Sequence, residues 1–474
     1  KPQPAQTQPP ASPMPTTPPT PPAFNPAAHH HARPRLRPVR GFPAKHGEQT
    51  LLGLADARQI SDQVVFTAPA AQLILPHLDG KNDLDTIVAA VGRGLTRSDL
   101  ESLIAQLDHA CLLEGPTFDA MLAEMRRQFD SSPNLPPATT ANIADHLVTQ
   151  KLGESATDSQ KAEQGPTILR EAMDQWIAEA LKDAENPSFD TLPQAIIAPH
   201  LDYPRGWMNY AHAYGRLRVV DRPDRIIILG TNHFGSATGI CACDKGFQSP
   251  LGICEADSDF AQLLRAQLGP ENSRLLFEHR YDHEREHSIE LHIPWIQHVF
   301  GQDESGAYPR VFAALIHDPA QNNGESYDGA GLGILTFIDA MKAAIAKART
   351  DAPGPDGSGA GGRTLIVSSA DLSHIGLSFG DRLSIAGEDQ DSLDFRNKVL
   401  QTDQEMLNLV AHAKAEELVA SIAWQQNPTR WCSVGNLVAT IKITGATKVE
   451  ILNYTMAGDQ QGAAMVSSCA AVVR

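Results

Sequence analysis

At 474 residues the chain exceeds one ordinary hydrophobic core, so two folded domains with linkers are expected. Its 56 acidic residues against 39 basic ones give a formal net charge of -17, which argues against a nucleic-acid partner. No apolar run reaches the ~18 to 20 residues that span a bilayer, and six cysteines in so long a chain make no disulfide framework, so a soluble protein of the reducing cytoplasm is expected, with no membrane partner.

The sequence opens on Lys1 rather than Met, which leaves a preceding segment, a secretory signal included, open. Residues 1–45 are Pro-rich with little to bury and are expected to be a disordered tail leaning to polyproline II. His29, His30 and His31 within it read as a solvated tract, with metal binding the lesser alternative.

Residues 46–130 read as a small module. A short strand is expected at Val64–Phe66, an apolar helix from Ala70 to Leu78 ending at Asp79-Gly80, and an amphipathic helix from Leu84 to Val91. A third helix runs from Asp99 to Leu113, with Leu100, Leu103, Ile104, Leu107, Cys111 and Leu112 on a helical period. These elements suit a small winged-helix-like α+β domain. Arg93, Arg97, Arg126 and Arg127 are scattered among acids, so no DNA-reading helix is visible. The spacing of Leu78-Asp79-Gly80, the following helix and the stretch from Leu107-Asp108 to Leu112-Leu113-Glu114 resembles PqqD-like domains. That likeness implies an extended peptide added to an exposed sheet edge; the plain alternative is a module that packs on its neighbour.

Residues 131–166 read as a linker, rich in Pro, Thr, Ser, Ala and Gln. Helical periodicity restarts at Thr167 to Lys182 and opens a second domain, 167–474. Strands are expected at 195–198, 225–229, 311–316, 364–369, 438–443, 449–454 and 464–473. Helices are expected near 207–217, 256–267, 287–299, 333–348, 391–401 and 404–412. This alternation predicts the α/β class, an αβα sandwich with a mostly parallel central sheet. Asp351 to Gly362 reads as a mobile loop, either a surface insertion or a lid.

Three apolar strands end on chemistry-bearing side chains: Ala195-Ile-Ile-Ala-Pro-His200-Leu-Asp202-Tyr203, Arg225-Ile-Ile-Ile-Leu-Gly-Thr-Asn-His233 and Thr364-Leu-Ile-Val-Ser-Ser-Ala-Asp371-Leu-Ser-His374. Open α/β folds keep their sites at the carboxyl edge of the sheet, so three such ends suggest one shared site. One histidine at a strand end is more often structural; two at equivalent positions, joined by Asp371 and His374, point to a metal. His287 and Glu290 share a helix face at i and i+3, where a carboxylate can steady an imidazole or touch a substrate, and Glu284 and Glu286 suit the helix N-terminus. This is not the two-histidine zincin helix. Cys432 opens a turn or helix start that would stabilise a thiolate, though alone it reads as a buried inert cysteine.

Taken together, Ala-Pro-His200-Leu-Asp-Tyr203, Ile-Leu-Gly-Thr-Asn-His233, Glu286-His287-Ser-Ile-Glu290-Leu-His-Ile-Pro294, Ser368-Ser-Ala-Asp371-Leu-Ser-His374 and Cys432 resemble the MEMO family. In bacteria this is the family of the AmmeMemoRadiSam system protein B, related in fold to class III extradiol dioxygenases. The resemblance implies His200, His233 and Cys432 as ligands of a divalent metal, with Asp371 and His374 beside them as catalytic groups. Asp202, Tyr203, His287 and Glu290 are then expected against the substrate or behind the ligands. The dioxygenase relatives hold Fe(II) with two histidines and a carboxylate; Cys432 stands where that carboxylate is expected, so copper or zinc compete with iron. Many members read Pro-His-Ala-Gly-Tyr, and this chain departs from them at Leu201-Asp202. The family also implies an AMMECR-type protein and a radical-SAM enzyme as partners. A mononuclear redox enzyme, a non-catalytic scaffold delivering a partner, and a metal-assisted hydrolase are the three expectations.

Overall fold

A computed structural model describes residues 22–474 apart from 48, 59, 352–361, 384, 460 and 461. The chain divides into two compact units, Lys1–Gln128 and Phe129–Arg474, with the boundary inside the helix Pro116–Ser131.

In the first unit, strands β1 (Val39–His46), β2 (Gln49–Asp56) and β3 (Val64–Thr67) form an antiparallel sheet in that order. Helices Leu84–Val91 and Arg97–His109 follow, the first capped by Asp83 and the second by a Thr96/Asp99 capping box. Leu84, Ile87, Leu100, Ile104 and Leu107 bury their stripe in one core with Leu52, Leu54 and Val65. The helix expected at Ala70 to Leu78 is two 3-10 turns, Pro69–Leu73 and Leu75–His77, because each proline withholds a backbone N–H.

The expected tail needs correction. Residues 1–21 lie outside the described residues, but Phe24 already packs on the core and residues 29–32 and 39–46 are helix and strand. The histidine tract is only partly solvated: His29 is exposed, but His31 is buried, and the Nε2 atoms of His30 and His31 lie 3.3 and 3.1 Å from the Asp108 carboxylate. The Asn25 N–H donates to His31 Nδ1 at 2.9 Å, so the ring proton sits on Nε2 and is given to Asp108. His31 thus ties Asn25 to Asp108, and the ligand atoms of His30, His31 and Asp108 lie within 4.8 Å of one another, so the metal-binding alternative for the tract stays open.

In the second unit the expected linker is largely helix: Thr139–Leu152, then Asp158–Leu181 behind a Thr157/Gln160 capping box. Small and polar residues, the Thr157/Gln160 capping box among them, gave these stretches a loop's composition. A small sheet joins β4 (Asn134–Leu135) with β8 (Gly246–Ser249) and β9 (Gly252–Cys254).

The main sheet contains β5 (Ala195–Ala198), β6 (Arg225–Thr231), β7 (Cys241–Cys243), β10 (Arg310–Ile316), β11 (Thr364–Ser369), β12 (Asp371–Ile375), β13 (Glu450–Gly458) and β14 (Met465–Val473). Its order is β12-β14-β5-β11-β6-β10-β7, with β13 paired on β14. The central block β5-β11-β6-β10 is parallel, and antiparallel strands flank it on both sides. Alternate residues enter opposite cores: Ala195, Ile197, Ile227 and Leu229 in one, Ile196, Ala198, Ile226 and Ile228 in the other. The sheet is therefore buried on both faces, as the unbroken apolar runs require, and the class is α/β.

The run expected as a strand at 438–443 is the helix Val434–Thr444, buried nearly all round and so without the polar stripe that marks a helix in sequence. The helix expected at 287–299 is two, His287–Glu290 and Ile293–Phe300, the second with Pro294 in its first turn. The pair expected at 391–401 and 404–412 is one helix, Gln390–Ala411. The loop expected at Asp351 to Gly362 lies outside the described residues except at its ends. Among the described residues no helix is long and apolar enough to cross a membrane.

Candidate metal centre

Because β5, β6 and β11 run parallel, their carboxyl ends reach one edge of the sheet, where Ala198 pairs with Ser369 and Leu229 with Ser368. His200 and His233 follow β5 and β6 within two residues, and Asp371 follows β11. Cys432 arrives on the turn before the helix Val434–Thr444. That turn is fixed by Asn436, whose amide donates to Ser369 O at 2.6 Å and Thr231 Oγ1 at 3.0 Å. One nitrogen from each of His200 and His233 and the sulfur of Cys432 lie within 4.8 Å of one another.

The surroundings decide which nitrogens are free. Ser369 gives its only hydroxyl proton to Ser288 O at 2.6 Å, so its oxygen accepts from His200 Nδ1 at 2.9 Å. The lone pair of His200 is thus on Nε2, 3.3 Å from Cys432 Sγ. At His233, Nδ1 lies 2.9 Å from the Glu286 carboxylate, an acceptor only, while the backbone N–H donates to the other oxygen at 2.8 Å. Both rings carry a proton on Nδ1, held by a protein acceptor, and turn Nε2 inward, the arrangement that hydrogen-bonding partners behind the ring impose on metal-binding histidines. Two imidazoles and one thiol in this disposition fit a divalent transition metal of borderline or soft character.

Burial, with the neighbouring His233 and His287 adding to it, lowers the pKa of His200 well below the ordinary range. At His233 burial works against the charged ring, but Glu286 and Cys432 outweigh it and raise the pKa well above ordinary. Burial also disfavours ionised Glu286, yet His233 holds that carboxyl down at about 2. Asp371 is pushed by burial up to about 7; it accepts the His200 N–H at 3.1 Å and lies 3.7 Å from Nε2. His374 is lowered by burial to about 4. Its Nδ1 faces two carbonyls, Leu372 at 3.0 Å and Arg430 at 3.1 Å, and so carries the proton, leaving Nε2 as the acceptor.

The other expected residues divide. His287 belongs to the cluster: its ring stacks on His233 at 4.7 Å and stands edge-on to His200 at 5.5 Å. The Gly230 backbone permits this approach, since a Cβ there would lie 2.6 Å from Ser288 and Ile289. Asp202 caps the helix Tyr203–Tyr214 and pairs with Arg205. Tyr203 is core: its hydroxyl donates to Leu291 O at 2.6 Å and its ring packs on Trp176, Tyr210 and Trp295. Glu290, though in the same one-turn helix as His287, is not at the metal cluster. Its carboxylate instead accepts from the N–H groups of Ala138, Thr139 and Thr140 and from the Thr140 hydroxyl, capping Thr139–Leu152. Glu290→Ala should accordingly lower stability by about 2 to 4 kcal/mol by leaving buried donors unmet. Metal content per folded chain should stay at the parent level in denaturant and elemental measurements of the same preparation.

Glu286 and Ser369 were not singled out from the sequence as supports. The signal was present, since each lies within two residues of a site histidine or of Asp371, but neighbouring carboxyls and hydroxyls also suit plain helix capping.

Residues 162–326 and 360–473 match the sequence profile of the family described as Memo-like protein. A MEMO1 family protein of Desulfurococcus amylolyticus is 24% identical over 305 residues, 63% of this chain and 89% of the relative. One from Methanopyrus kandleri is 27% identical over 278 residues, 57% of this chain and 79% of the relative. A Pyrobaculum arsenaticum member reaches 36% identity over a shorter stretch of 107 residues, 22% of this chain and 36% of the relative. The profile match spans both halves of the central sheet and every residue of the His200, His233 and Cys432 cluster, and the chain belongs to the Memo-like family.

Proposed function

We propose that the protein is a metal-dependent redox enzyme with one metal held by His200, His233 and Cys432. The observation that supports this best is that both imidazoles tie Nδ1–H to a protein acceptor and turn their other nitrogen to a common point with the Cys432 sulfur. A divalent metal there would supply Lewis acidity and, as iron or copper, a redox couple; iron is favoured by the dioxygenase likeness, with zinc the hydrolytic alternative.

The chain's own groups then divide the proton work. Asp371, near 7, can hold or release a proton at neutral pH, while His374, near 4, is neutral there and offers Nε2 as an acceptor. His200 and Asp371 are buried, whereas His233, His287, His374 and Cys432 are partly exposed, so a substrate approaches from the side of the latter group. An AMMECR-type protein and a radical-SAM enzyme are the proposed partners.

A second reading, a scaffold that delivers a peptide, is favoured by β3. It pairs on one side only in its three-stranded sheet, and Val64 and Phe66 on it are exposed. That suits the strand addition of PqqD-like domains.

Elemental analysis of protein purified without oxygen tests the first reading. About one iron or copper per chain is expected; zinc alone would favour hydrolysis, and a folded protein free of metal would overturn the proposal in favour of the scaffold.

A further inference from the structure

Asp403, within the helix Gln390–Ala411, has no exposed surface and accepts four hydrogen bonds. The donors are Ser373 Oγ (2.5 Å), Ser467 Oγ (2.5 Å), Tyr454 OH (2.6 Å) and Trp431 Nε1 (2.7 Å). A buried carboxylate is tolerated only when its oxygens are satisfied, and here neutral groups alone do it. Two of the donors sit one residue before a site side chain: Ser373 precedes His374, and Trp431 precedes Cys432. They also meet each other, with Trp431 Nε1 3.1 Å from Ser373 Oγ.

The same contact bears on strand geometry. In an unbroken strand, residues three apart point to opposite faces. Asp371 nevertheless accepts from the His200 N–H while His374 turns Nδ1 to Arg430 O, two residues before Cys432. The β12–β14 register shifts between Asp371 and His374, and such a bulge re-aims the side chains that follow it. Within the shift the Ser373 N–H turns to Ser467 Oγ at 2.9 Å, and both serine hydroxyls go to Asp403.

We propose that Asp403 is a positioning residue that holds Cys432 against His200 and His233, and fixes the backbone ahead of His374, by clamping the chain one residue before Cys432 and one before His374. The inference rests on the reading of Cys432 as part of the metal centre, but the clamp itself needs no metal. Ser373, Trp431 and Ser467 act through it; Tyr454, on β13, satisfies the same carboxylate without leading to either site residue.

The test uses the full chain stripped of metal and measures the rate at which iodoacetamide alkylates Cys432, located by mass spectrometry. The other cysteines are buried, which isolates this thiol. Trp431→Phe and Asp403→Asn should change the rate several-fold, while Tyr454→Phe should lower thermal stability yet leave the rate at the parent value. A second readout is the thiolate-to-copper charge-transfer band on Cu(II) addition, which should shift or fade in Trp431→Phe and persist in Tyr454→Phe. A parent that shows no such band would count against the metal reading, and the alkylation rates would still decide the clamp. Should Asp403→Asn fail to fold, Trp431→Phe carries the test. The proposal is overturned if Trp431→Phe alkylates at the parent rate, or if Tyr454→Phe alters it as much as Trp431→Phe does.

Discussion

Cys432→Ser should abolish stoichiometric metal binding while the fold persists. The thiol lies on a turn fixed by backbone and Asn436 contacts that a serine keeps, and it is partly exposed, so little packing is lost. What disappears is the soft donor 3.3 Å from His200 Nε2. Loss of a supporting group behind a ligand commonly weakens a metal site 10- to 100-fold, so removing the ligand itself should exceed about a hundredfold. His200→Ala should do the same, and Ser369→Ala, which frees the ring to adopt the other tautomer, should fall within the smaller range. The effect is also visible in stability: a metal present at about 100 times its Kd adds about 2.7 kcal/mol to unfolding. Parent protein should therefore lose several degrees of Tm on chelation, and Cys432→Ser should not respond. A Cys432→Ser protein that retains parent metal content would remove Cys432 from the centre.

The strands that carry this site were legible because a parallel strand covered on both faces is a short, unbroken apolar run. Ala195 to Ala198, Arg225 to Thr231 and Thr364 to Ser369 are such runs, each followed at once by a His or Asp. The same rule failed at Val434–Thr444, where a helix buried on every side gives the same apolar run. The short strands β7, β8 and β9 left no periodic signal, being three or four residues long. In the site, His200 and His233 could be named from position and Cys432 from the family resemblance, but not the tautomers of the rings. Those depend on Ser369, Ser288 and Glu286, whose roles exist only once β6, β11 and the turn at 287–290 are brought together. Asp403 was illegible for the same reason, since its four donors are spread from residue 373 to 467.

Glu286→Gln should produce the largest change in how stability depends on pH. In the parent, Glu286 takes the His233 N–H, the His233 ring Nδ1–H and the Ser288 N–H, the last at 2.9 Å. Its folded pKa, about 2, lies below the unfolded value, so its contribution is present above about 4.5 and is lost as pH falls towards 2. His233 is shifted the other way: its contribution is full below about 6.5 and is lost as pH rises through the raised folded pKa. These are two views of one ion pair, whose loss should cost about 3 to 5 kcal/mol in metal-free protein between those limits. The acid side alone does not identify the pair. His283 and His292, lowered by burial to about 4 and about 3, take up protons more readily when unfolded and lower stability below about 6.5 in any variant. The alkaline side separates it better: above about 7, where Asp371 has also titrated, the parent should lose stability more steeply than Glu286→Gln, because the unfolded His233 gives up a proton that the folded ring keeps. Urea titrations of the metal-free proteins from pH 5 to 9 measure this, and parallel curves would rule out the pair as a source of stability. Metal reverses the preference, because binding at His233 requires the proton to leave Nε2, so the parent's affinity should rise with pH while its metal-free fold weakens.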